Sequence, residues 1–125
     1  QGKKVLIAED MSINREIITS LLADTGLVLE MAENGKVAFD MVAANPNKYD
    51  LIFMDIQMPV MDGLEATRNI RSLPVVRERR LPIIALTANV FQDDIDNCYL
   101  AGMDDHIGEP LEITEVLKKL NEYLI

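Results

Sequence analysis

Cysteine is almost missing from this chain. Cys98 stands alone among 125 residues, so no disulfide can form within it and cysteine usage does not report a compartment. Long apolar runs are missing too. No stretch reaches the roughly 18 residues of a membrane-spanning helix, and the opening Gln1-Gly2-Lys3-Lys4-Val5 has neither a methionine nor the apolar core of a secretory signal. That opening reads as a cut made inside a longer protein. Positive charge is scarce: 12 Lys and Arg face 21 Asp and Glu, a net charge of −9. Such a balance argues against sequence-independent nucleic-acid binding and fits a metal cation or a basic partner. Repeats, linkers and low-complexity segments are absent as well, so residues 1–125 read as a single domain, long enough to bury a core.

What is present alternates. Val5 to Ala8 is a short apolar run that ends on two acids, as a strand buried on both faces would. Ile13, Ile17 and Leu21 recur at helical spacing, widened by Ile18 and Leu22. This predicts a helix over 12–24 with Ser12 as N-cap, most of that stripe facing the core, and Gly26 as the stop. A second strand covers 27–32. A second helix carries Val37, Ala38, Met41 and Val42 and ends at Asn45-Pro46. The third strand, 51–54, runs straight into Asp55. Leu64, Thr67, Ile70 and Arg71 mark a third helix, followed by an arginine-rich polar loop up to Arg80. A strand over 82–86 closes on Thr87, 89–101 reads as helix stopped by Gly102, and 105–108 as a short fifth strand. A final amphipathic helix carries Ile113, Val116, Leu117, Leu120 and Leu124. Cys98 falls in an amphipathic stretch and reads as a packed thiol.

Five strand–helix pairs imply one parallel sheet with helices on both faces, because each crossover must be right-handed. Ligands in such sheets sit beyond the carboxyl ends of the strands. That rule selects Glu9-Asp10, Asp55, Thr87 and the segment around Glu109. Singly, strand-end acids cap helices or face water. Together, two carboxylates about 4 Å apart repel by roughly 4 kcal/mol at an effective dielectric near 20. A divalent cation removes that repulsion, and an all-oxygen ligand set without His or Cys favours Mg²⁺ over zinc. A carboxylate beside Mg²⁺ can attack phosphorus and give an aspartyl phosphate. Thr87 could place its hydroxyl on a phosphoryl oxygen, although a strand-end threonine is also favoured on propensity alone.

Over essentially its whole length the chain resembles the receiver domains of two-component signalling. Met54-Asp-Ile-Gln-Met-Pro-Val-Met-Asp-Gly63 is similar to the family's phosphoacceptor loop. Glu9-Asp10 resembles its acidic pair, Thr87-Ala88 its switch threonine, and Gly102-Met-Asp-Asp-His-Ile107 its approach to the last strand. The resemblance implies a flavodoxin-like (βα)5 doubly wound sandwich, with a five-stranded parallel sheet in order 2-1-3-4-5. It implies Asp55 as phosphoacceptor for a phosphohistidine donor. It also implies Mg²⁺ (or Mn²⁺ in its place) held by Asp10, Asp55 and the backbone carbonyl of Gln57, with Glu9 acting through water. Thr87 would swing toward the phosphoryl group, and His106 stands where the family places the residue that moves with it. From the residues alone, His106 is a surface or packed histidine. Asn14-Arg15-Glu16 and Ala85-Leu-Thr-Ala-Asn89 resemble receivers fused to hybrid sensor kinases. The partner so implied is a histidine kinase core or a histidine phosphotransfer domain, with no nucleic acid and no membrane contact. The domain would be cytoplasmic even where its parent is membrane-anchored. It would assist its own phosphorylation and dephosphorylation without being an independent turnover enzyme.

One position departs from the pattern. Receivers carry a lysine before the proline that follows the fifth strand, and this chain has Glu109-Pro110, a peptide bond that the family tends to hold cis. Glu109 can turn outward and leave a slower site, join the metal shell, or mark a degenerate receiver that binds partners without phosphorylation. Turning outward is the expectation, because every other motif residue is in place. Two further readings share the chemistry or the fold. A flavodoxin-like electron carrier would need a Ser/Thr/Gly-rich phosphate loop where Glu9-Asp10 stands. An aspartyl-phosphate phosphatase would want a second acid at Gln57.

Overall fold

The computed structural model describes residues 2–87, 92–109 and 111–124, and of residues 92–94 the backbone only. Its elements are β1 (Lys4–Ala8), α1 (Ser12–Leu21), β2 (Val28–Ala32), α2 (Gly35–Ala44), β3 (Leu51–Asp55) and α3 (Gly63–Arg71). They continue with α4 (Pro74–Arg79), β4 (Ile83–Thr87), α5 (Gln92–Ala101), β5 (Asp105–Gly108) and α6 (Ile113–Leu124). The five strands form one parallel sheet in the order β2-β1-β3-β4-β5. This is the flavodoxin-like arrangement expected from the resemblance. The expected helical residues 89–91, Ala88 and the expected cis bond before Pro110 lie outside the described residues.

Side chains of the inner strands alternate between two cores, as the pleat requires. Leu6, Ala8, Ile52, Met54, Ile83 and Ala85 point to one face, where α2, α3, α4 and α5 cover them. Val5, Ile7, Leu51, Phe53, Ile84 and Leu86 point to the other, under α1 and α6. Val5 through Ala8 are each 0% exposed, which explains why β1 reads as an unbroken apolar run. Cys98 is buried in the first core. No helix among the described residues is long and apolar enough to cross a membrane.

Three local readings need correction. Ser12 is the first helical residue of α1, whose N-cap is Met11 with no side-chain hydrogen bond, and the helix ends at Leu21 rather than at 24. The buried stripe of α1 is Ile18 and Leu22. Ile13 is 59% and Ile17 45% exposed, whereas Leu21 at the end of the same stripe is partly buried and packs against the core. The arginine-rich segment after α3 is not all loop but holds α4. Pro74 supplies the fixed φ of a first helical turn, Val76 plugs the core at 0% exposure, and Arg80 ends the helix at φ 57°. With six residues it is too short to show helical periodicity.

Candidate functional site

The parallel ladder brings four strand ends to one edge. Ala8 pairs with Met54, Asp55 with Leu86, and Thr87 with Gly108. The ladder then runs one residue further: Glu9 N–H donates to the Ala32 carbonyl (2.9 Å), and Glu109 N–H to the Thr87 carbonyl (2.8 Å). Glu9, Asp10, Asp55, Thr87 and Glu109 therefore line one cleft of about 390 Å³, together with Gln57. Strand ends alone select Glu9, Asp10, Asp55, Thr87 and the segment around Glu109, Gln57 comes only from the resemblance, and the structure brings them together.

Carboxylate oxygens of Glu9, Asp10 and Asp55 all lie within 4.8 Å of one another. Glu9 is fully buried. Its Oε2 accepts from Met11 N–H at 3.2 Å, whereas Oε1 has no donor. Asp55 is 9% exposed and accepts from Gln57 N–H at 3.3 Å. Burial, then the neighbouring Glu9 carboxylate, then Glu109 push the Asp55 carboxyl up to about 8. Two facing carboxylates satisfy each other only by sharing a proton or a cation. A buried oxygen without a donor, set among oxygen ligands only, fits a hard divalent ion.

The loop after β3 is built around this cluster. Gly63 N–H donates to the Ile56 carbonyl at 2.8 Å, and a Cβ at Gly63 would collide with the Asp55 carbonyl oxygen. Asp62 caps α3 by accepting from Glu65 N–H at 2.8 Å. Gly35, at the start of α2, packs against the same loop: its N–H donates to the Met61 carbonyl at 3.0 Å, and a Cβ there would also clash. Thr87 ends β4 at 5% exposure.

Glu109 does not turn outward. It is half-buried and lines the cleft, because the bond from its N–H to Thr87 holds its backbone at the sheet edge. Burial, then Glu9 and Asp10, raise its carboxyl above the ordinary range. His106 lies outside the cleft. Its ring meets Tyr99 of α5 edge-on, with Nδ1 3.3 Å from the Tyr99 hydroxyl and 4.0 Å from Asp105 Oδ1.

One structural residue escaped the sequence reading. Arg71, read only as part of the α3 stripe, donates to the carbonyls of Gly102 (2.8 Å) and Leu81 (2.6 Å) and to Asp104 Oδ2 (2.7 Å). Its three partners lie 10 to 33 residues away, so no local pattern signals the clamp.

An open α/β sheet with a carboxylate cluster at its carboxyl edge has its ligand site where doubly wound sheets place one, beyond the strand ends. Residues 5–121 match the response regulator receiver domain, and the chain belongs to this family. Hybrid signal transduction histidine kinase I of Dictyostelium discoideum is 40% identical over 112 residues, covering 87% of this chain and 6% of that protein. Histidine kinase 5 of Arabidopsis thaliana is 34% identical over 145 residues, covering 97% and 16%. The chain thus spans only a small part of the curated relatives it matches. Among solved structures, the receiver domain of a Pseudomonas aeruginosa sensor histidine kinase, with a magnesium ion coordinated in its active-site cleft, is 37% identical. It superposes with a TM-score of 0.87, covering 99% of this chain and 98% of that one. The receiver domain of Saccharomyces cerevisiae Ssk1, solved with the histidine phosphotransfer protein Ypd1, is 31% identical with a TM-score of 0.87, covering 98% and 88%.

Proposed function

We propose that this receiver domain accepts a phosphoryl group from phosphohistidine on Asp55, with Mg²⁺, and relays a two-component signal by a change of conformation. The observation that carries the reading is the nearly buried Asp55 carboxylate, clustered with Glu9 and Asp10 on the floor of a cleft that Thr87 borders. Asp10, Asp55 and the Gln57 carbonyl would hold the ion directly and Glu9 through water, with Mn²⁺ as a substitute. When bound, the ion neutralises the carboxylates and the phosphoryl oxygens.

The chain's own residues supply the rest. Asp55 Oδ attacks phosphorus, and the P–N bond of the donor breaks as the new P–O bond forms. Thr87 receives a phosphoryl oxygen at its hydroxyl. Phosphorylation shifts the conformational balance only by the difference in its interactions with the two states. The Tyr99–His106 contact beside β5 is the element we assign to follow Thr87. We read residues 1–125 as one receiver domain of a longer hybrid kinase, cytoplasmic, with the kinase core or a histidine phosphotransfer domain as partner. The small share of the relatives' length that it spans supports this. The rival reading, an interaction module independent of phosphorylation, gains no support from these relatives.

Intact mass after incubation with monophosphoimidazole and Mg²⁺ tests the proposal. A single acid-stable, base-labile phosphoryl adduct, absent from Asp55→Asn, is expected. A folded, Mg²⁺-binding chain without the adduct would favour the interaction module.

A further inference from the structure

Four carboxylates line the cleft (Glu9, Asp10, Asp55 and Glu109), and among the described lining residues there is no Lys, Arg or His. Arg15 reaches this edge, but its Nη1 is engaged with the Glu9 carbonyl oxygen at 2.7 Å. Glu9, Asp10 and Asp55 form the compact group that one divalent ion can neutralise; Glu109 stands outside it. Its backbone is tied to Thr87, which holds its Cα at the sheet edge, and the residue lines the cleft. An uncompensated negative charge acts hardest on whichever transition state develops negative charge beside it.

We propose that Glu109 determines donor specificity at this site, favouring phosphoryl donors whose leaving group is an imidazole over donors whose leaving group departs as an anion. The proposal rests on Asp55 being the phosphoacceptor. With an acyl phosphate, Asp55 Oδ bonds to phosphorus while the bridging P–O bond breaks. Its electron pair leaves on a carboxylate, which adds negative charge at a cleft already rich in it. With a phosphoimidazole whose distal ring nitrogen carries a proton, the P–N bond breaks, its electron pair stays on the departing nitrogen, and the ring leaves as neutral imidazole. No new anion forms. Glu109 therefore slows the first reaction and leaves the second nearly unchanged. This gives the site a preference for phosphohistidine chemistry that does not depend on a docked partner.

The test measures initial rates of adduct formation by intact mass on the full chain in saturating Mg²⁺, with acetyl phosphate and with monophosphoimidazole. Wild type, Glu109→Gln, Glu109→Lys and Asp55→Asn are compared. Glu109→Gln should accelerate labelling by acetyl phosphate roughly tenfold or more, the factor expected of one charge a few ångströms away. Labelling by monophosphoimidazole should change by less than about threefold. Glu109→Lys should widen that gap, and high salt should narrow it, which a purely structural effect would not do. Equal factors for the two donors, or no change with either, would overturn the proposal while leaving the phosphoacceptor reading intact. If neither donor labels any variant, the reading of Asp55 fails and takes the proposal with it.

Discussion

Val60 is held at φ 69°, in the left-handed region, and is 77% exposed. A β-branched residue is poorly suited to that region, at about 1–2 kcal/mol, while asparagine tolerates it. Val60→Asn gives up little burial and is expected to raise unfolding stability by about 0.5–1 kcal/mol in urea titrations; an unchanged or lower midpoint would count against strain there. Gly63 shows the opposite constraint. Any Cβ there meets the Asp55 main chain, so Gly63→Ala is expected to cost about 1–3 kcal/mol as overpacking and to weaken Mg²⁺ binding by displacing the β3 end. Normal stability with normal Mg²⁺ affinity would show that the loop yields instead. The Asp62-Gly63 pair of the loop after β3 was visible in the sequence. Its reason, a close approach to Asp55, was not, because the contact depends on how the loop folds back.

Among elements, the Arg71 clamp joins α3 to the segment before β4 and to the turn between α5 and β5. Arg71 and Asp104 are 14% and 11% exposed at their side chains, and Asp104 Oδ2 also accepts from Ile83 N–H at 2.9 Å. Arg71→Met keeps the stem but strands the buried carboxylate, and is expected to destabilise the fold by about 3–5 kcal/mol. A loss below about 1 kcal/mol in denaturant melts would mean that Arg80, which bonds Asp104 Oδ1 at 2.9 Å, carries the charge alone. Strands were the most legible elements because β1, β3 and β4 are short apolar runs that end on polar residues. Helix faces were less so. In α1 two stripes are equally apolar, and the groove over Phe53 and Leu86 selects Ile18 and Leu22. In α4 a single buried valine does the anchoring, too little to register as a pattern.

For the molecule as a whole, the carboxylate cluster couples folding to protons and, on the proposed reading, to metal. An Asp carboxyl ordinarily titrates near 3.8, and in the folded chain without metal Asp55 is pushed up to about 8. Between those values the folded state holds a proton that the unfolded state has released. Its stability therefore falls as pH rises from about 4 to 8 and levels off above that range. In EDTA the melting temperature should drop across this interval, and Asp55→Asn should flatten the drop. If Mg²⁺ binds this cluster, it binds the deprotonated form, so its stabilisation should be larger at pH 8 than at pH 5.5. A Mg²⁺ effect that is constant with pH would place the ion elsewhere.

The alternation of short apolar runs with amphipathic segments was enough, by itself, to determine a parallel sheet with covered faces. It also determined which side chains stand at the strand ends, since a crossover fold places every strand's carboxyl end at one edge. Glu9, Asp10, Asp55 and Thr87 were legible for that reason. Only the tertiary structure decided that Glu109 enters the cleft, that Ile18 rather than Ile17 is buried, and that Arg71 clamps segments up to 33 residues away. Each of these is a relation between segments distant in the chain, and local spacing carries no information about which partner burial will supply.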